Sequence, residues 1–164
     1  KSSAASDVYK RQLYHCSNNK KLRSLEKSSI QLSDLISYKK AIENLKIYGS
    51  LAIANIGNDC SEAMIATVSD FLLTISEIEF SFVYSYRGSG IKFSVRSALL
   101  SVDASDLIKT ILSGFGDGGG HSNMAAGFVP NIATEEEAIQ LVEFIISRTI
   151  SYINQFTPFQ IETY

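Results

Sequence analysis

The 164-residue chain has only two cysteines, two histidines, two prolines and no tryptophan. Cys16 and Cys60 cannot build a disulfide framework, and their spacing is not that of a zinc site. No apolar run approaches the roughly 18–20 residues that a membrane helix needs, which excludes a spanning segment. No basic region leads into an apolar core at the N-terminus, so nothing argues for secretion, and a reducing cytoplasm is the expected compartment. What is present is an ordinary globular composition: 45% hydrophobic, 10% aromatic and 20% charged. A disordered chain would be poorer in apolar residues and further from neutrality. The length suits a single domain with a real core.

The net charge of −2 hides an asymmetry. Residues 1–48 carry ten Lys/Arg against four Asp/Glu, and residues 49–164 carry five against thirteen, so the two parts stand at +6 and −8. A basic leader over an acidic body fits a solvated linker, or an anionic ligand or further domain near the N-terminal part. Lys1–Gln12 is rich in Ser and Ala and has no hydrophobic period. It reads as a junction scar or truncated end, and the expectation is a piece of a longer protein.

Four stretches are assigned in outline: 1–12 as scar or truncated end, 13–45 as linker with a helix, 46–155 as the folded domain, and 156–164 as a fraying tail. Leu35, Ile36, Tyr38, Ile42 and Leu45 predict a helical stripe, and Lys46–Asn55 predicts a strand. Met64, Ile65, Val68, Phe71, Leu72 and Ile75 again fall at helical spacing. Phe80, Phe82, Tyr84 and Tyr86 alternate with smaller residues. After Arg87-Gly88-Ser89-Gly90 the period-2 pattern resumes, which predicts a hairpin. The same period sets Lys92, Ser94 and Arg96 on one face, opposite the apolar set. Asp103 predicts a helix N-cap, and Thr134–Glu137 a capping box for a last helix burying Ile139, Val142, Ile146, Ile150 and Ile153. The mixture predicts an α/β fold, a small mixed sheet flanked by helices.

Six of the ten glycines lie within Gly114–Gly127. Gly118-Gly119-Gly120 offers no side chain to a core and loses backbone entropy on folding. Such a run suits close approach to a ligand or positive φ, and successive amides can form an anion-binding nest. His121 follows directly and can donate to a phosphate oxygen. A flexible turn with an exposed histidine is the bland alternative. Gly114, Gly116 and Gly119 also satisfy G-x-G-x-x-G, but they follow a predicted helix where a dinucleotide site needs a strand.

Gly118-Gly119-Gly120-His121 followed by Ala125-Ala126-Gly127 resembles the GGGHxxxAAG signature of the type-1 DHH-associated domain. That domain is the substrate-binding half of DHH-family phosphoesterases such as oligoribonucleases and 3′-phosphoadenosine 5′-phosphate phosphatases. Ser69–Leu73 resembles a helix of that family, and Gly90–Ser97 resembles its strand ending in Val-Arg-Ser. Residues 13–45 resemble the linker that follows the DHH catalytic domain. The resemblance implies that Gly118, Gly119, Gly120 and His121 hold a substrate phosphate, and that Arg96 contacts phosphate or base. A surface ion pair is the plainer role for Arg96. The family's two divalent metals, usually manganese, belong to a catalytic half with an Asp-His-His cluster. This sequence has no such cluster, so no catalytic or metal-ligating residue is expected in it.

The expected partners are nucleotide phosphates or short single-stranded RNA or DNA, together with an upstream DHH domain. A homodimer of the full-length protein stays open. The acidic body argues against a long duplex track. Tyr84 and Tyr86 are candidates for base stacking by position alone, on a strand face that usually packs in a core. Three alternatives stand beside this reading: a free-standing nucleotide- or nucleic-acid-binding module, half of a cyclic-dinucleotide or polyphosphate hydrolase, and a purely structural domain.

Overall fold

The computed structural model describes residues 31, 32 and 34–156. The expectations for the scar, the basic linker, His15, Cys16 and the last eight residues lie outside them. The elements are α1 (Asp34–Glu43), β1 (Lys46–Tyr48), β2 (Leu51–Asn58), α2 (Glu62–Leu72), β3 (Phe80–Arg87), β4 (Gly90–Ser97), α3 (Ala104–Leu112), β5 (Asp117–Gly120), β6 (Met124–Val129) and α4 (Glu135–Ile153). The strands form one six-stranded sheet in the order β1-β2-β3-β4-β6-β5. Only β2 and β3 run parallel, joined by a crossover through α2; the other pairs are antiparallel. The mixed α/β architecture expected from the sequence is the one observed.

Alternation along the strands builds two cores. Leu51, Ile53, Phe80, Phe82, Phe93 and Val95 face α3 and α4, whose Leu107, Ile108, Ile111, Val142 and Ile145 close over them. On the other face Ala52, Ala54, Ile56 and Val83 meet Ala41 of α1 and Ile65, Val68 and Leu72 of α2. Caps fix the helix starts. Ser61 Oγ accepts from Met64 N, Asp103 from Ser105 N and Asp106 N, and Thr134 from Glu137 N.

Three local expectations need correction. Lys46–Asn55 is not one strand: Gly49, at φ +57°, turns the chain back on itself, and β1 and β2 form a hairpin. The apolar stripe expected for α1 packs only in part: Tyr38 and Leu45 lie against the core, with Tyr38 edge-on to Phe71. Leu35, Ile36 and Ile42 are exposed, while Ala41 is fully buried against the small Ala52 and Ala54, where only a small side chain lets the helix sit close. In α4, Ile139 is exposed, and Ala138, Val142, Ile145, Ile146, Thr149 and Ile153 turn inward.

Candidate functional site

α2 packs over β3 and β4, so the sheet face beyond it is an open floor. That floor joins Lys92, Ser94 and Arg96 of β4 to Met124, Ala126 and Phe128 of β6 and to Gly119 and Asp117 of β5. Glu62, Ile65 and Ala66 of α2 form the wall. The groove between them has a volume of about 680 Å³. Ser94, Ala126 and Gly119 lie on one cross-strand row, and their small side chains keep its middle low.

The glycine run is an edge strand and not an anion nest, which corrects the sequence expectation. None of Gly118, Gly119 and Gly120 has a positive φ; the glycines that do are Gly49, Gly57, Gly88 and Gly114. Two of the three are there for packing. A Cβ on Gly118 would stand 2.9 Å from Ile108 Cγ1, and one on Gly120 would run into Met124 O. A Cβ on Gly119 would meet nothing within 4 Å and would point into the groove. G-x-G-x-x-G at Gly114, Gly116 and Gly119 runs from the end of α3 into β5, the wrong order for a dinucleotide fold.

His121 closes the β5–β6 hairpin. It exchanges both backbone bonds with Met124, at N···O distances of 2.7 and 3.3 Å. Bonded and non-bonded pairs alternate along an antiparallel ladder, so Gly119 bonds Ala126 while Gly118 and Gly120 turn their N–H groups to the outer edge. The turn is pinned from behind, because Ala104 N donates to Ser122 O at 2.8 Å and Ser97 N to Asn123 O at 3.0 Å. The exposed His121 side chain is among those that line the groove.

Arg96 and Met124 are cross-strand partners, and His121 lies opposite Met124 on its other side. The strand spacing therefore puts Arg96 and His121 about 10 Å apart at their backbones, flanking one corner of the groove. Arg96 Nε donates to Asp70 Oδ1 at 2.6 Å, and Nη1 donates to Ser94 Oγ and Val95 O, each at 3.1 Å. The ion pair considered from the sequence is thus real. Its arginine is nevertheless only 13% exposed and lines the groove, so the pair orients a guanidinium toward the corner.

Lys92 makes a second tie to α2 through Glu62, whose carboxyl is held below its usual range by the Lys92 hydrogen bond and charge. The Lys92 ammonium also stands 5.9 Å from the centre of the Phe128 ring. Lys92, Asp70, Glu62, Asp117 and Phe128 received no role from the sequence. The period-2 spacing of Met124, Ala126 and Phe128 was the signal that could have found Phe128.

Tyr84 and Tyr86 are not available for stacking in this groove. They sit on the opposite sheet face, packed against the core under α3 and α4. Burial, reinforced by Tyr86, pushes the Tyr84 hydroxyl up to about 12. Among the described residues no three His, Cys, Asp or Glu gather where they could hold a metal ion, so the residues do not fit the two-metal centre of the resemblance. No described helix is long and apolar enough to cross a membrane.

Residues 48–148 match the DHHA1 domain family. An uncharacterised protein of Methanocaldococcus jannaschii is 28% identical over 135 residues, covering 79% of this chain and 27% of that protein. An exopolyphosphatase-related protein from Bacteroides fragilis shares the fold at a TM-score of 0.59 and 17% identity, over 91% of this chain and 44% of that one. RecJ from Thermus thermophilus, in complex with Mg2+, shares it at 0.52 and 19% identity, over 76% and 18%. The chain thus spans less than half the length of each.

Proposed function

The chain belongs to the DHHA1 domain family, and on that premise we propose that it is the substrate-binding half of a metal-dependent DHH-family phosphoesterase acting on nucleotides or short single strands. The observation that carries this reading is the corner of the groove. The Arg96 guanidinium and His121 flank it, and Gly118 and Gly120 line the groove beside it. A fixed guanidinium beside an exposed imidazole suits phosphate oxygens, which accept charge-assisted hydrogen bonds.

In this reading the chain binds and orients a phosphate and leaves bond cleavage to an upstream DHH domain, where the resemblance puts two divalent ions, usually manganese. No step through a metal is assigned to the residues described. Their contribution is positioning, which lowers the entropy cost of attack in the assembled enzyme. Alternatives such as a cyclic dinucleotide share this phosphate corner.

The test is a metal-free phosphorus NMR titration with a 5′-phosphorylated dinucleotide. Saturable binding that His121→Ala weakens about tenfold is expected. Binding that His121→Ala leaves unchanged contradicts the site. Manganese-dependent hydrolysis by this chain alone contradicts the division of labour.

A further inference from the structure

The groove has two chemically different ends. Its phosphate corner lies on the row of Arg96 and Met124. Four residues further along β6, the row of Lys92, Phe128 and Asp117 crosses the same floor. Strand rise puts the two rows about 13 Å apart. That is further than a phosphate lies from its own base, and within reach of the next nucleoside.

The far row is built to receive a ring and to turn a phosphate away. Phe128 is 39% exposed, a large aromatic surface open in the floor of a groove. Its ring is seated on bare backbone, since a Cβ on Gly90 would stand 2.5 Å from Phe128 Cε2. Any side chain at Gly90 would therefore displace the ring. Two carboxylates, Asp117 and Glu62, line this end against the ammonium of Lys92, which Glu62 already engages. Carboxylates repel a second phosphate and accept from base N–H groups, and an aromatic face stacks any base.

We propose that Phe128 is a specificity-determining platform for the nucleobase one residue beyond the anchored phosphate. The groove then reads a two-nucleotide ligand, and inorganic polyphosphate fits it poorly. This rests on the phosphate corner proposed above and adds to it a ligand length and a base-bearing class. Met124 and Ala126, between the two ends, offer an apolar floor for the intervening sugar.

The experiment is calorimetric titration of the chain with a 5′-phosphorylated dinucleotide, the corresponding 5′-mononucleotide and inorganic tripolyphosphate. It compares wild type with Phe128→Leu, Phe128→Tyr and His121→Ala, after circular dichroism has shown that each variant folds. The wild type is expected to bind the dinucleotide about tenfold more tightly than the mononucleotide, the scale of one stacked base. Phe128→Leu should erase that preference and spare the mononucleotide, and Phe128→Tyr, which keeps the ring, should retain it. A preference that survives in Phe128→Leu overturns the platform and leaves the phosphate corner standing. Tripolyphosphate binding as tightly as the dinucleotide also overturns the platform. Mononucleotide binding that His121→Ala leaves untouched overturns the corner, and with it the platform.

Discussion

Arg96 Nε and Asp70 Oδ1 meet at 2.6 Å and tie the polar face of β4 to the flank of α2. A second tie, Lys92 to Glu62, lies further along the same strand and helix. Eight residues of helix rise about 12 Å and four residues of strand about 13 Å, so the two pairs line up without distortion. The helix thus sets the side chains of the strand that floors the groove.

Removing the carboxylate should loosen the guanidinium without unfolding the chain, because Asp70 is largely exposed. Asp70→Ala is expected to weaken dinucleotide binding about threefold, and Arg96→Met about tenfold or more. Arg96→Lys should not restore binding, since an ammonium cannot reproduce the fork that bonds Asp70, Ser94 and Val95 together. Calorimetric titration of the three variants checks this order.

Neighbouring glycines should separate folding from binding. Gly119→Ala adds a methyl group to open space in the groove, so the urea midpoint should stay within error while ligand affinity falls. Gly120→Ala drives a methyl group against Met124 O and Ala125, and should destabilise the fold by about 1–3 kcal/mol. Urea melts paired with titrations decide it; a reversed order would mean that β5 is not placed as described.

Alkaline pH should weaken the fold through Tyr84. Its hydroxyl ionises at about 12 in the folded chain against an ordinary 10.0, because burial disfavours the phenolate. The folded state then holds the proton more tightly than the unfolded state. This contribution is fully present below pH 10 and is lost as the pH rises from 10 to 12. Thermal melts across that window should show a smaller loss for Tyr84→Phe than for the wild type. Equal losses would place the titrating group elsewhere.

Much of this molecule is legible in the sequence, and the failures have physical causes. The β3–β4 hairpin, the polar row of Lys92, Ser94 and Arg96, and the caps at Asp103 and Thr134 follow from period and side-chain chemistry. Gly118–Gly120 misled because glycine has two uses: permissive dihedrals, which suggested a nest, and the absence of a Cβ, which is what Ile108 and Met124 O demand. Tyr84 and Tyr86 take the core place that the apolar alternation of β3 favours, while the stacking role that position alone allowed falls away because that face is turned from the groove. Phe128 was overlooked because a lone aromatic in an alanine- and glycine-rich strand shows its role only when β4 and β5 flank it.

The most direct measurement is a nitrogen-15 correlation spectrum of the chain titrated with a 5′-phosphorylated dinucleotide. The amides of Gly118, Gly120 and His121 and the Arg96 Nε–H resonance should move together and saturate at one ligand per chain, while Tyr84 and Tyr86 on the opposite face stay still. Saturating shifts confined to the α3–α4 face, or none at the edge of β5, would contradict a phosphate site in this groove.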